Sequence, residues 1–243
     1  MRVNLLGAGI DNLNMQETVH KIAAFIKSGG RPRQVVTLNP EYLYRAQDQP
    51  KLMNLVNDAD LVTPDGAGIV WACKMAGTPV PERVTGIDLM LNLMPLAEKE
   101  GWGIFLLGAA PGVADEAAEN LRKQYPALRI VGTRHGYFKA DEDREIVEQI
   151  KAARPQLLFV ALGMPKQEQW IRKYKDEMQV PVAMGVGGSL DVIAGRVERV
   201  SPLLQRLQLE WLGRLIKEPH RWRRQLVLPK FAGLVLKKYV FKL

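Results

Sequence analysis

The chain has 243 residues, 47% apolar and 25% charged, with 21 Gly, 15 Pro and one cysteine. This composition excludes disorder, collagen and coiled coil as the main state. A chain of this length buries roughly 70% or more of its unfolded surface, so it needs neither metal nor disulfide to hold a core. The net charge of +8 is unevenly placed: residues 1–195 carry 22 Lys and Arg against 23 acids, and residues 196–243 carry 12 against 3. A basic tail on a neutral body suits polyanions such as lipid headgroups, phosphates or nucleic acid.

Short β-branched or Leu-rich runs predict strands at 3–6, 34–38, 61–63, 103–107, 129–133, 157–162 and 181–186. Several are apolar on both faces, as strands covered by helices are. Between them lie helical patterns. Residues 15–27 follow Asn14, with Glu17 at capping-box spacing, and stop at Gly29-Gly30. Residues 113–124 follow a Gly/Pro turn, 141–154 open with acids and stop at Pro155, and 166–178 follow Pro165. The alternation predicts an α/β fold, a Rossmann-like, largely parallel sheet sandwiched by helices over 1–195. From residue 201 only helical spacing remains, with an apolar stripe from Leu203 to Ile216 and then Arg and Lys interleaved with Trp222, Phe231, Tyr239 and Phe241. Residues 196–243 are thus expected to be a basic, amphipathic, membrane-associating helical appendage. Simple docking of a terminal helix pair on the body is the competing reading.

No run reaches the about 20 apolar residues that span a bilayer. The best, 226–236, contains Pro229 and Lys230, and residues 3–10 lack a signal-peptide pattern. With Cys73 as the sole cysteine, the expectation is a cytoplasmic protein.

Ligands of open α/β sheets bind beyond the carboxyl ends of the strands. The residues there are Thr37, Asn39 and Glu41; Thr63-Pro-Asp65-Gly66; Gly108-Ala109; His135-Gly136-Tyr137-Phe138; Gly163 with Lys166, Gln167 and Glu168; and Gly187-Gly188 with Asp191. Glycines and helix starts along one edge suit a nucleotide's phosphates. Asp65 sits in a Pro-Asp-Gly turn, either as a carboxylate at a cleft mouth or as a turn former. Arg83 either clamps an anion or pairs with Glu82 or Asp88. Three further motifs are weaker. Gly7-Ala-Gly9-Ile-Asp-Asn12 departs from a dinucleotide fingerprint at its last position. Asp58-Ala-Asp60 has the spacing of a metal–diphosphate motif but reads better as a helix terminus. The histidines form no metal spacing, and only His135 lies near the expected site.

Six blocks in order carry a resemblance: Thr37-Leu-Asn-Pro-Glu41, Thr63-Pro-Asp-Gly66, Glu82-Arg-Val-Thr-Gly-Ile-Asp88, Phe105-Leu-Leu-Gly108, Leu162-Gly-Met-Pro-Lys-Gln-Glu168 and Gly185-Val-Gly-Gly188. Together they resemble the WecG/TagA/CpsF glycosyltransferases, glycosyltransferase family 26, over nearly the whole chain, with the N-acetylmannosaminyltransferase branch nearest. The resemblance implies an inverting, metal-independent and cofactor-free transfer on the inner face of the cell membrane. N-acetylmannosamine would pass from its UDP donor to the 4-hydroxyl of N-acetylglucosamine on undecaprenyl diphosphate, making the wall teichoic acid linkage unit. It implies that Asp65 is the catalytic base and that Thr37, Asn39, Arg83 and Gln167 handle substrate. In this reading UDP lies against Gly108–Ala109, Gly136–Tyr137, Gly163 and Gly187, with Asp191 toward uracil or ribose. Arg214, Arg221 and Arg224 of the tail then reach the diphosphate while the tail meets anionic lipid.

Three other readings stand beside it. The same fold could use another UDP-sugar, N-acetylmannosaminuronic acid or a hexose. The tail could bind nucleic acid, although that leaves the polar residues gathered after successive strands unexplained. The chain could be a membrane scaffold with a dead site. The stripe 203–216 leaves packing on the body, on lipid or in a homo-oligomer open.

Overall fold

The computed structural model describes residues 1–200 and 226–241. Its N-terminus is an antiparallel hairpin of β1 (Arg2–Leu5) and β2 (Ala8–Asp11). Leu6 and Gly7 turn it with φ of 52° and 90°, the left-handed pair that a two-residue hairpin turn requires. The first expected strand therefore lies outside the main sheet, and Gly7-Ala-Gly9 is a turn and a strand instead of a phosphate loop. The hairpin covers an edge of the main sheet, where the Val62 N–H donates to Asp11 Oδ2 at 2.8 Å.

The chain continues through α1 (Met15–Ser28), β3 (Arg33–Leu38), α2 (Pro40–Gln47), α3 (Pro50–Asn57), β4 (Leu61–Pro64), α4 (Ala67–Met75) and α5 (Gly86–Glu100). Then follow β5 (Gly103–Gly108), α6 (Val113–Gln124), β6 (Arg129–Arg134), α7 (Asp143–Ala153), β7 (Leu157–Ala161), α8 (Lys166–Met178), β8 (Val182–Gly185) and α9 (Ser189–Ile193). The Asn14–Glu17 capping box that starts α1 is present on both sides. Helices α2 to α5 carry weaker signals: two have eight residues, α4 is apolar almost throughout, and α5 contains Pro95.

The six strands β3 to β8 form one parallel sheet in the order β4-β3-β8-β7-β5-β6. Side chains alternate between its faces, and both faces are apolar. Ile104, Leu106, Phe159, Val182 and Met184 pack with α1, α5 and α6 through Ile22, Leu89, Leu93 and Ala117. Their neighbours Phe105, Leu107, Leu158, Val160 and Ala183 pack with α7 and α8 through Ile146, Ile150, Trp170 and Ile171. Asp143 is buried there with its charge satisfied, accepting from Trp170 Nε1 at 2.9 Å and the Tyr174 hydroxyl at 2.7 Å. A third cluster joins the hairpin, α2, α3 and α4 around Val36, Leu38 and Val62.

The tail helix α10 (Val227–Val235), which runs into a π-helical turn at Leu236–Val240, docks on this third cluster against α2 and α4. Phe231 is 2% exposed there, and the Tyr239 hydroxyl accepts from the Leu6 N–H at 2.8 Å. Lys230, Lys237, Lys238 and Phe241 face outward. Among the described residues no helix is long and apolar enough to cross a membrane.

All six parallel strands end on one rim, so backbones crowd there. Gly108 has φ 127°, and a Cβ on it would stand 2.4 Å from the Ala161 carbonyl oxygen. Gly108→Ala is expected to cost about 2 kcal/mol or more, read as a lower urea midpoint; an unchanged midpoint refutes the crowding.

Candidate active site

Asp65 follows β4 at the rim, its N–H held by the Leu38 carbonyl at 2.8 Å. Its Oδ2 accepts from the Gly86 N–H, 3.4 Å away at the start of α5. The loop carrying Arg83 is tied down on both sides of that residue's neighbour: the Thr63 hydroxyl donates to the Val84 carbonyl at 3.0 Å, and the Val84 N–H donates to the Pro64 carbonyl at 2.9 Å. Thr85 caps α5. Gly86 sits so close to β3 and β8 that a Cβ there would lie 3.4 Å from Thr37 Oγ1 and 3.7 Å from Val186 Cα. The N-terminus of α5 is thereby pressed onto the rim, and Thr37, Asp65 and the Arg83 loop are gathered around it. The partial positive charge of a helix start favours an anion there.

A second group lies at the ends of β5, β6 and β7. The Ala109 N–H donates to the Ala161 carbonyl at 3.0 Å, and the Gly136 N–H donates to the Ala109 carbonyl at 2.8 Å. A Cβ on Gly136 would meet Leu162 at 2.8 Å and Gly108 at 3.1 Å. Packing alone thus demands glycine at 108 and 136. Gly163, with φ 74°, leads into α8, and Tyr137 stands 73% exposed beyond the loop. Lys166 lies 5.2 Å from the Phe138 ring. His135 is half-buried, and its Nδ1 has no hydrogen-bond partner among the described residues. From Asp65 to β5, the middle strand of this group, is four interstrand steps, about 19 Å at the usual spacing.

The remaining expected site residues have partners within the fold, are half-buried, or lie outside the described residues. Asn39 caps α2, its Oδ1 accepting from the Tyr42 N–H at 2.9 Å. Gln167 is 4% exposed and works beneath the rim: its Oε1 accepts from the Gly187 N–H at 3.0 Å, and its Nε2 donates to Glu168 Oε1 at 2.7 Å. Asp191 lies half-buried in the first turn of α9. Arg214, Arg221 and Arg224 lie outside the described residues, as does the stripe 203–216.

The Asp58–Asp60 pair lies at the opposite end of β4 from Asp65. Asp58 closes α3 and pairs with Arg172 at 2.9 Å. Asp60 is held by Arg31, Arg33 and the Gln34 N–H. Burial opposes its charge, but these partners hold its carboxyl below the usual range. Among the described residues no cluster of His, Cys, Asp and Glu is able to hold a metal ion. Cys73 is buried in α4, its thiol pushed up to about 11 by burial.

Glu168 is the residue the motif reading passed over as a candidate. An acid in the first turn of a helix normally signals a solvated dipole partner. Its spacing with Ile171, Lys175 and Met178, all buried in α8, places it instead on the inward stripe. It is 2% exposed, and its Oε2 has no partner among the described residues. Burial pushes its carboxyl up to about 7, against the downward pull of the Gln167 amide. Burial first, and the Glu168 charge second, raise the Tyr42 phenol above its usual range.

Comparison with known proteins places these residues in context. Residues 3–243 match the model of the glycosyl transferase WecG/TagA/CpsF family. Three similar proteins each bear the name N-acetylglucosaminyldiphosphoundecaprenol N-acetyl-beta-D-mannosaminyltransferase. The one from Bacillus spizizenii is 39% identical over 203 residues, 84% of this chain and 78% of its own length. The one from Bacillus subtilis is 35% identical, with coverages of 94% and 85%. The one from Staphylococcus aureus is 33% identical, with coverages of 97% and 92%.

Glu168 has a testable effect on stability. Between its usual value of 4.5 and about 7, the native state holds a proton that the unfolded chain has lost. Stability therefore falls as pH rises through this window. Glu168→Gln removes the titration. From pH 4.5 to 7.5, urea unfolding should move in the variant's favour, relative to the parent, by roughly 3 kcal/mol; a pH-independent difference refutes the buried acid.

Proposed function

The chain belongs to the WecG/TagA/CpsF glycosyl transferase family, and on that premise we propose that it moves N-acetylmannosamine from a UDP donor to N-acetylglucosamine carried on undecaprenyl diphosphate. The three named relatives, whose names contain this transfer, support the sugar and the acceptor. The observation that carries the reading for this molecule is the half-buried carboxylate of Asp65 at the rim, beside the start of α5 and the Arg83 loop.

The proposed chemistry is an inverting displacement. The acceptor 4-hydroxyl attacks the anomeric carbon opposite the leaving UDP, and Asp65 takes its proton as the bond forms. General base catalysis of this kind contributes about 10²–10⁴ in rate. The anomeric centre becomes oxocarbenium-like and the departing diphosphate gains charge. That charge is met by backbone N–H groups, the dipole of α5 and the guanidinium of Arg83, dipoles and donors that are in place before the reaction begins. An extended sugar nucleotide bridges the distance from Gly108, Ala109, Gly136 and Gly163 to Asp65, with its uridine over β5 and β7. Thr37 and Gly187 flank the sugar between these ends. We place no metal in the reaction, because the two carboxylates of the Asp58–Asp60 motif are engaged in ion pairs at the opposite end of β4 from Asp65.

The tail is proposed to bring Arg214, Arg221 and Arg224 to the diphosphate and to rest on an anionic membrane surface. Its described parts support this placement. Arg199 pairs with Asp88 in the first turn of α5, and Phe231 lies beside Gly68, next to Pro40. Both contacts adjoin the Asp65 loop. Lys230, Lys237, Lys238 and Phe241 add an outward basic and apolar surface suited to headgroups.

Asp65→Asn should lower kcat by about 10²–10⁴ while leaving donor affinity within about threefold, measured with a short-chain lipid diphosphate acceptor. Unchanged turnover removes Asp65 as the base. Replacing Arg214, Arg221 and Arg224 together with Ala should reduce transfer to a water-soluble diphosphate acceptor as well as to vesicle-borne acceptor. A loss confined to vesicles reduces them to anchors.

A further inference from the structure

We propose that Glu168 is a positioning residue for the transfer: acting through the Gln167 amide, it fixes the Gly187 N–H and with it the turn between β8 and α9 at the rim. This rests on the rim being the donor site. Gln167 is the bridge. Its Oε1 accepts from the Gly187 N–H at 3.0 Å and its Nε2 donates to Glu168 Oε1 at 2.7 Å. Turning the amide over would set its NH₂ against the Gly187 N–H, two donors facing each other. The amide also occupies the place of a missing side chain, because a Cβ on Gly185 would stand 2.4 Å from Gln167 Nε2. Beneath, the Gln34 amide donates to the Glu168 carbonyl at 3.0 Å and joins the start of α8 to β3.

The carboxyl group is more than space-filling requires. A buried carboxylate with one oxygen unpartnered is costly, and an apolar side chain would fill the same volume without that cost. What the carboxyl supplies is an acceptor for Gln167, stronger when ionised, since hydrogen bonds to charged acceptors are roughly twice as strong as neutral ones. The clasp on Gly187 therefore tightens as Glu168 loses its proton. The titratable neighbours are few. Tyr42 from α2 is coupled to it electrostatically. Arg33 on β3 is committed to Asp60, Arg172 one turn along α8 to Asp58, and Lys51 on α3 is exposed. Strands β7 and β8 bring no ionisable side chain.

Amide hydrogen exchange and donor kinetics on the full chain test this together. Glu168→Leu should speed exchange of the Gly187 N–H by about tenfold or more, with the interior amides of α8 and β8 still protected. It should raise the donor KM by about tenfold while changing kcat less than about threefold. Glu168→Gln, which keeps an acceptor oxygen, should recover most of both effects and lose the dependence of donor KM on pH around 7. Unaltered Gly187 exchange in the Leu variant overturns the proposal. So does loss of protection throughout α8 and β8 with no recovery in the Gln variant, which marks a purely structural role. Faster Gly187 exchange with an unmoved KM overturns the link to transfer. Failure of the underlying reading is separate, and shows as no transfer from the UDP donor by the parent chain measured alongside.

Discussion

The close approach of α5 to the ends of β3 and β8 governs the site. A Cβ on Gly86 would lie 3.4 Å from Thr37 Oγ1 and 3.7 Å from Val186 Cα, ordinary contact distances that show how closely the helix start is seated on the strand ends. The approach lets the Gly86 N–H donate to Asp65 and places the start of α5 beside the stretch that carries Arg83. A helix of 15 residues behind that N–H adds its dipole. Separate segments, the ends of β3 and β4 and the loop before α5, thus converge on the start of this one helix.

Two buried carboxyl groups show how differently the molecule treats charge. Asp143 receives an indole N–H and a phenol O–H and serves to lock α7 to α8. Glu168, on the same helix layer, receives the Gln167 amide and has one oxygen without a hydrogen-bond partner among the described residues. Satisfied buried acids stabilise packing, whereas unsatisfied ones persist where another constraint retains them. Here that constraint leads through Gln167 to a glycine turn at the rim.

The appendage is joined to the catalytic body by contact as well as by sequence. Arg196 and Arg199 tie its root to Glu116 and Asp88, and Phe231, Val235 and Tyr239 seat its far part on α2, α4 and the N-terminal hairpin. Docking and an outward basic face coexist on α10, since its buried and exposed residues lie on different sides of one helix. The two readings of the tail that its composition left open are therefore compatible.

The sequence by itself determined the alternation of strands and helices, the capping box at Asn14, the largely parallel sheet and the family. These are local or periodic properties, carried by neighbouring residues and by motifs in fixed order. It also placed Asp65 on the rim, because residues that follow parallel strands share one edge of the sheet. The hairpin at β1 and β2 was hidden, since nothing in the spacing marks Leu6 as the left-handed partner of Gly7 in the turn. The packing demand at Gly108 and Gly136 and the burial of Glu168 were decided only by tertiary structure. Each depends on a partner distant in the chain or on what lies within a few ångströms in space, and one-dimensional spacing carries neither.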